Sequence, residues 1–509
     1  MSEESLRDCF DQAFLEYGEK KALSFFRGAG IETEISYRHL DELSDRTANA
    51  LINKGVKKGD RVVLLLDKSM HFIVAHLGIQ KMGGISVPLN PGFKEAELSY
   101  FMGDADPALI LAEARHRAKL RDLSPGIITV EVDTSQPIHE FDFLRSGGNE
   151  KVRVDLSSHD PALIIYTSGT TGQPKGAVLT QKNLVHDLKN IRYIWEITHR
   201  DVLCHALPLF HVHGLGFALH TCLTAGSHVL LLDAFSPEVV VNLLADREVE
   251  YPCSIFMAVP AMYGRLIEFL GDRHRDFGHI RLLTSGSAPL PVGEFNRIKA
   301  VFGKEPVERE GMSETGMNFS NPLKGHKKAG SIGLPLPGLD VRIVDPATSE
   351  DVRPGRVGEI WLKGPCITPG YWQKPMETSD TFSGGWFRTG DLGKVDGDGY
   401  YYLTDRIKHI IISGGENISP KEIENVINRF EGVVESSVVG IEDEKWGEKV
   451  VAAVVPRSSK SLDVGELQHF CREQLHDWKC PKEIVLVDHL PRNTMGKVLH
   501  EEVKQFFGR

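Results

Sequence analysis

The chain has 509 residues, 41% hydrophobic and 25% charged, with 59 basic against 70 acidic side chains and a net charge of −11. That length exceeds one typical domain and that composition suits a globular enzyme. An acidic chain without a long basic block is a poor partner for nucleic acid or an anionic membrane surface. The seven cysteines (Cys9, Cys204, Cys222, Cys253, Cys366, Cys471 and Cys480) are scattered and lack C-x-x-C spacing. They read as thiols in a reducing compartment, neither a zinc site nor a disulfide framework. The start, Met1-Ser2-Glu3-Glu4, is acidic and carries no apolar core, so no signal peptide is expected. No apolar run approaches the roughly 18 residues of a membrane helix. The expectation is a cytoplasmic enzyme without a membrane span.

Residues 37–54 carry Leu40, Leu43, Ala50 and Leu51 near helical spacing. An alternation follows: an apolar run at 61–66, a helical pattern at 69–82, strands at 85–89 and 109–111, and a helix at 94–103 between them. Continuous apolar strands alternating with helices predict an α/β sheet buried on both faces. Leu184, Leu188, Ile191 and Trp195 mark a further helix, and strands are expected near 203–207, 228–232, 255–259 and 280–284. Between about 330 and 403, Gly and Pro become frequent among short strand-like runs, which predicts a β-rich subdomain. From Ile407 onward the pattern is that of a small α+β unit. Within it, Ser419-Pro420-Lys421-Glu422 reads as a capping box with Pro at the first helical position.

The chemistry is concentrated in Thr167-Ser168-Gly169-Thr170-Thr171-Gly172-Gln173-Pro174-Lys175-Gly176, flanked by apolar strands. Three glycines, four hydroxyls and a lysine make a loop able to wrap donors around phosphate oxygens, with an ammonium as point charge. A Walker loop needs Ser or Thr after the lysine and then a helix; Gly176 and a strand follow here, so a P-loop kinase or GTPase is disfavoured. A flexible hairpin of the same composition is the bland alternative.

This run resembles the phosphate-binding loop of the adenylate-forming superfamily, which includes acyl- and aryl-CoA synthetases, peptide-synthetase adenylation domains and beetle luciferases. Further signatures follow in the expected order over nearly the whole chain. The resemblance implies a large multi-sheet N-terminal domain with a β-rich subdomain, residues 1–406, and a small mobile α+β domain, residues 407–509. It implies ATP, Mg²⁺ and CoA as cofactors and co-substrates, and a monomer or homodimer. In Glu310-Gly311-Met312-Ser313-Glu314-Thr315-Gly316, Glu314 would ligate Mg²⁺ and Ser313 would lie near the α-phosphate; Glu310 stands where the family usually has an aromatic residue on adenine. Thr284-Ser285-Gly286-Ser287-Ala288 resembles the turn bordering adenine and the acyl group. In Trp386-Phe387-Arg388-Thr389-Gly390-Asp391, Asp391 would accept from both ribose hydroxyls. Arg406 would contact ribose or phosphate, and Lys408 would be the hinge. Lys497, in Pro491-Arg492-Asn493-Thr494-Met495-Gly496-Lys497, would reach the α-phosphate for adenylation. The small domain would then rotate to bring Gly414, Gly415 and Glu416 to the thiol substrate. With Lys497, Glu314 and Thr170 would carry the chemistry, which is charge neutralisation and alignment more than proton transfer.

For the acid, Leu207-Pro208-Leu209-Phe210-His211-Val212-His213-Gly214-Leu215, Arg281 just before the 284–288 turn, and Gly316-Met317-Asn318-Phe319-Ser320-Asn321-Pro322 together look like malonyl-CoA synthetases. Those bind a distal carboxylate through basic residues. Arg281 is the first candidate for that role and Arg265 the second, with His211 and Gly286 lining the acyl group. A second carboxylate in a closed pocket without a partner would cost roughly 3–5 kcal/mol, so a dicarboxylate enzyme needs such a cation. Medium-chain or aromatic acids, or loading of a carrier protein, remain alternatives.

Overall fold

The computed structural model describes residues 4–167, 173–413, 416–443, 446–457, 462–493 and 496–508. Five apolar segments flanked by turn residues pair in parallel, in the order Ile128–Val132, Leu109–Glu113, Arg61–Leu65, Ile85–Pro88 and Pro161–Thr167. Lys175–Thr180 closes this sheet as an antiparallel edge, with Thr167 opposite Lys175. Most of these strands are apolar on both faces, which is why they read as continuous hydrophobic runs.

A second sheet of nine strands has a parallel centre: Val307–Met312, Leu282–Ser285, Ile255–Ala258, Val202–His205, His228–Leu232 and Lys21–Arg27. Antiparallel strands finish both edges, Gly316–Ser320 with Leu334–Pro335 on one side and Gly30–Ser36 on the other. Helices Tyr37–Asn53, Met70–Lys81 and Gln181–Ile194 match the spacing predicted for them. The segment His213–His220 is a π-helix. Gly214 opens it because a β-carbon there would fall 2.1 Å from the Pro208 carbonyl oxygen. Wide turns of this kind recur at functional sites.

The chain divides into two compact units, Met1–Asp340 with Lys363–Phe387, and Val341–Leu362 with Arg388–Arg509. Tyr401–Arg406 pairs antiparallel with the strand Trp386–Val395, Arg406 opposite Asp391, so residues 388–406 fold as one ladder. The second unit also holds a mixed sheet of Glu416–Ile418, Ile411–Ser413, Gly447–Pro456, Val433–Asp443 and Glu483–Leu486. Ile411, Ile418, Ile423, Val426, Val450, Val454 and Leu467 form its core. Ser419 caps the helix Pro420–Ile427 by accepting from Glu422 N–H. The returning half of the capping box is not made; the Glu422 carboxylate takes the Lys479 ammonium at 2.7 Å instead. Among the described residues no helix is long and apolar enough to cross a membrane.

Buried histidines are numerous in the first unit. Burial pushes the imidazoles of His71 and His228 down to about 4 and that of His76 to about 3. A depressed imidazole is neutral when folded, whereas the unfolded chain takes its proton near pH 6.5. The stabilisation is therefore complete above about pH 6.5 and is lost as pH falls towards about 4, by up to about 1.4 kcal/mol per pH unit for each group. Thermal midpoints measured at pH 7.5, 6 and 5 are expected to fall progressively, and His76→Gln to flatten the lower part of that curve.

Candidate active site

In the parallel sheets the loops after the carboxyl ends of the strands gather the polar residues, the usual place for a site in such folds. Glu314 sits in the turn between Val307–Met312 and Gly316–Ser320, 7% exposed. Its Oε1 accepts from Thr167 Oγ1 at 3.0 Å and from Tyr371 Oη at 3.1 Å, and its carbonyl accepts from Thr368 N–H at 2.7 Å. Neither side-chain bond uses Oε2. Lys175 begins the strand leaving the phosphate loop, and its Nζ lies 5.3 Å from the Tyr371 ring centroid. The structure thus brings together three predicted residues, Thr167, Lys175 and Glu314, through a tyrosine that sequence reasoning missed. Ser313 is half-buried in the same turn. Ser168, Gly169, Thr170, Thr171 and Gly172 lie outside the described residues.

The turn depends on Gly316, which has φ +70 and packs on Asp187; a β-carbon would fall 2.1 Å from the Asp187 carboxyl. Asp187 Oδ1 accepts from Met317 N–H at 3.2 Å, and burial drives this carboxyl well above the usual carboxylate range. Neighbouring Pro174 is held by Tyr100, whose hydroxyl donates to its carbonyl at 2.6 Å.

A buried carboxylate with one oxygen uncommitted among the described residues is the ligand Mg²⁺ takes from a protein when phosphate and water supply the rest. Among the described residues no three His, Cys, Asp or Glu side chains cluster as an all-protein cage. The donor set fits a nucleotide-borne Mg²⁺.

A polar cluster surrounds the turn at 286–288. Ser287 adopts φ +66, a left-handed conformation uncommon for a serine. Its Oγ lies 3.1 Å from His213 Nδ1 and 3.5 Å from Arg309 Nη2. Arg309 is 2% exposed, lies over the Phe217 ring at 5.2 Å, and its Nε has no hydrogen-bond partner among the described residues. Burial pushes its guanidinium down to about 10, against the pull of Glu310. Gly286 makes room for it: a β-carbon there would meet Arg309 Nε at 2.5 Å. Ala288 is half-buried in the same loop. Burial pushes the His211 imidazole down to about 4 and holds that of His213 well below the usual histidine range, so both are neutral acceptors or donors at pH 7. Glu310 accepts from Asn318 Nδ2 at 3.1 Å.

Arg281 does not belong to this group. Its Nε and Nη2 donate to the Asp201 carboxylate at 2.6 and 2.7 Å, and its Nη1 and Nη2 to the carbonyls of Trp195 and Glu196. It precedes the strand Leu282–Ser285, whereas the turn at 286–288 follows the other end, roughly 15 Å along at strand rise. Arg265, on the helix Pro260–Leu270, is exposed and stacks 4.8 Å over Phe235. Arg309 carried a signal in the sequence: Glu308-Arg309-Glu310 is a charged triplet inside the strand Val307–Met312, and Glu308 and Arg309 are buried.

In the second unit, Asp391 is buried and paired with Arg406, Nε to Oδ1 at 2.6 Å and Nη2 to Oδ2 at 3.3 Å. Gly390 N–H donates to Glu359 Oε1 at 3.1 Å, which fixes the turn before it. Lys497 is half-buried in a tight loop: its N–H donates to Asn493 Oδ1 and its carbonyl accepts from Asn493 N–H. Lys408 is the middle residue of the 3₁₀ turn Ile407–His409, and Glu416 pairs with Ser413 in a strand; the side chains of both, and all of Gly414 and Gly415, lie outside what is described.

Residues 10–372 match the AMP-binding enzyme family and residues 422–497 its C-terminal domain. The chain belongs to the AMP-binding enzyme family. As an AMP-binding enzyme it is an acid–thiol ligase of the adenylate-forming superfamily, with ATP and CoA as substrates. It is 34% identical to the mitochondrial malonate–CoA ligase ACSF3 of Mus musculus, over 96% of this chain and 90% of that one. It is also 34% identical to a feruloyl-CoA synthase of Amycolatopsis sp., over 94% of each. The crystal structure of ATP-bound MatB from Rhodopseudomonas palustris superposes with a TM-score of 0.93 at 35% identity, covering 99% of both chains.

Proposed function

We propose that this AMP-binding enzyme activates malonate or a related short dicarboxylate as its acyl-adenylate and transfers the acyl group to CoA. The observation that carries the reading is Arg309, a buried cation whose Nε has no partner among the described residues, beside Ser287, His213 and Gly286. A buried guanidinium with an open donor is unfavourable unless a substrate anion completes it. It serves a second carboxylate and penalises an alkyl or aryl acid, so it weighs against the aromatic reading that the feruloyl-CoA synthase likeness would otherwise support. Thr167 and Lys175 would hold phosphate oxygens, and Asp391 with Arg406 the ribose. Glu314 would hold Mg²⁺, which when bound neutralises phosphate charge as pyrophosphate leaves. The Lys497 ammonium would stabilise charge on the α-phosphate during adenylation, and the 414–416 segment would serve the thiol step. We place the enzyme in the cytoplasm, the setting that its free, buried cysteines favour.

Pyrophosphate release over a panel of acids, with and without CoA, tests this. Malonate is expected to outpace acetate and butyrate by about 10² or more in kcat/KM, the weight of one buried charge pairing. A preference for long-chain or aromatic acids would overturn the dicarboxylate reading, and release that leads to no acyl-CoA would favour a carrier-protein acceptor.

A further inference from the structure

Tyr371 stands in Gly370-Tyr371-Trp372, away in sequence from both the phosphate loop and the Glu314 turn. Its backbone is fixed on two sides. The N–H donates to Thr378 Oγ1 at 2.9 Å, and the residue bridges Ala177, with Trp372 N–H on the Gly176 carbonyl at 2.7 Å. A backbone so held leaves the side chain few directions. Its hydroxyl donates to Glu314 Oε1, and its ring face lies under the Lys175 ammonium. One side chain therefore touches both the carboxylate suited to the metal and the cation suited to phosphate, by two separable forces: a hydrogen bond to an anion and attraction of a cation to a ring.

We propose that Tyr371 is a positioning residue for this site, its hydroxyl setting the Glu314 carboxylate so that Oε2 is presented to Mg²⁺ and its ring setting the Lys175 ammonium for phosphate. The proposal rests on the reading of Glu314 as the Mg²⁺ ligand. It differs from a structural role for Tyr371 because the two halves of the side chain act on different ligands.

Mn²⁺ binding to the enzyme with α,β-methylene-ATP, followed by electron paramagnetic resonance, reads the first half. Calorimetry of the same nucleotide without metal reads the second. Tyr371→Phe keeps the ring and is expected to weaken Mn²⁺ binding about tenfold, as loss of a partner behind a metal ligand does, with metal-free nucleotide binding unchanged. Tyr371→Leu is expected to weaken metal-free binding as well, about three- to fivefold. In the background of Glu314→Gln, which should itself lose Mn²⁺ affinity, the Tyr371→Phe effect on Mn²⁺ is expected to vanish. Mn²⁺ affinity in Tyr371→Phe equal to the parent's, while Glu314→Gln loses it, would overturn the role of Tyr371 alone. Equal losses with and without metal in Tyr371→Phe would do the same. Retained affinity in Glu314→Gln would instead remove the metal reading on which the proposal stands.

Discussion

Replacing Lys497 by alanine is expected to lower acid-dependent pyrophosphate release roughly 10²–10³-fold, the scale set by removing one preorganised donor from a developing oxyanion. Thioester formation from pre-made acyl-adenylate and CoA is expected to survive in the same variant. The loop that carries Lys497 is held by main-chain and Asn493 contacts: Leu499 N–H donates to the Pro491 carbonyl, Asn493 N–H to the Lys497 carbonyl, and Arg492 Nη1 to the Gly496 carbonyl. Lys497→Arg, which keeps the charge in a different shape, should recover only part of the rate. If both half-reactions fell together, Lys497 would serve the turn's structure or substrate binding in general, and the assignment to adenylation would fail.

The second large effect concerns Arg309. Arg309→Met is expected to lower kcat/KM for malonate by about 10² or more and to raise that for butyrate, inverting the preference. The reason is the asymmetry of buried charge: a desolvated carboxylate without its partner is penalised by roughly 3–5 kcal/mol, whereas an alkyl chain gains from losing a cation. Arg281→Met is the control. Burial raises the Asp201 carboxyl, but the Arg281 guanidinium and the Thr198 N–H outweigh it and leave the carboxyl below its usual range. Removing Arg281 strands a buried anion, so stability should fall by about 3–5 kcal/mol while acid preference stays with malonate. Preference that followed Arg281 and ignored Arg309 would reverse the assignment.

The contrast between those two arginines shows what the chain discloses in one dimension. Repeated apolar periods located the strands and helices that were expected between residues 37 and 111 to within a few residues, because burial on both faces or one face writes itself into spacing. The loops after the strands were legible for a related reason: Gly, Ser and Thr gather there because backbone and hydroxyls must approach a ligand. Which charged residue faces that ligand was not legible. Arg281 precedes one buried strand and Arg309 lies within the next, and only the fold decides that one pairs with Asp201 and the other reaches the turn at 286–288. Tyr371 escaped notice because its partners are some 57 and 196 positions away, beyond any local pattern.

The contact between Gly316 and Asp187 has a meaning for how this protein can change over generations. Any side chain at 316 needs a smaller neighbour first, since the carboxyl fills the space and the backbone there is left-handed. A smaller neighbour at 187, arriving first, strands the Met317 N–H that the carboxyl now satisfies. Each single step is harmful before its complement arrives, so the corner that carries the acidic turn is closed to gradual drift and can be rebuilt only by paired substitution.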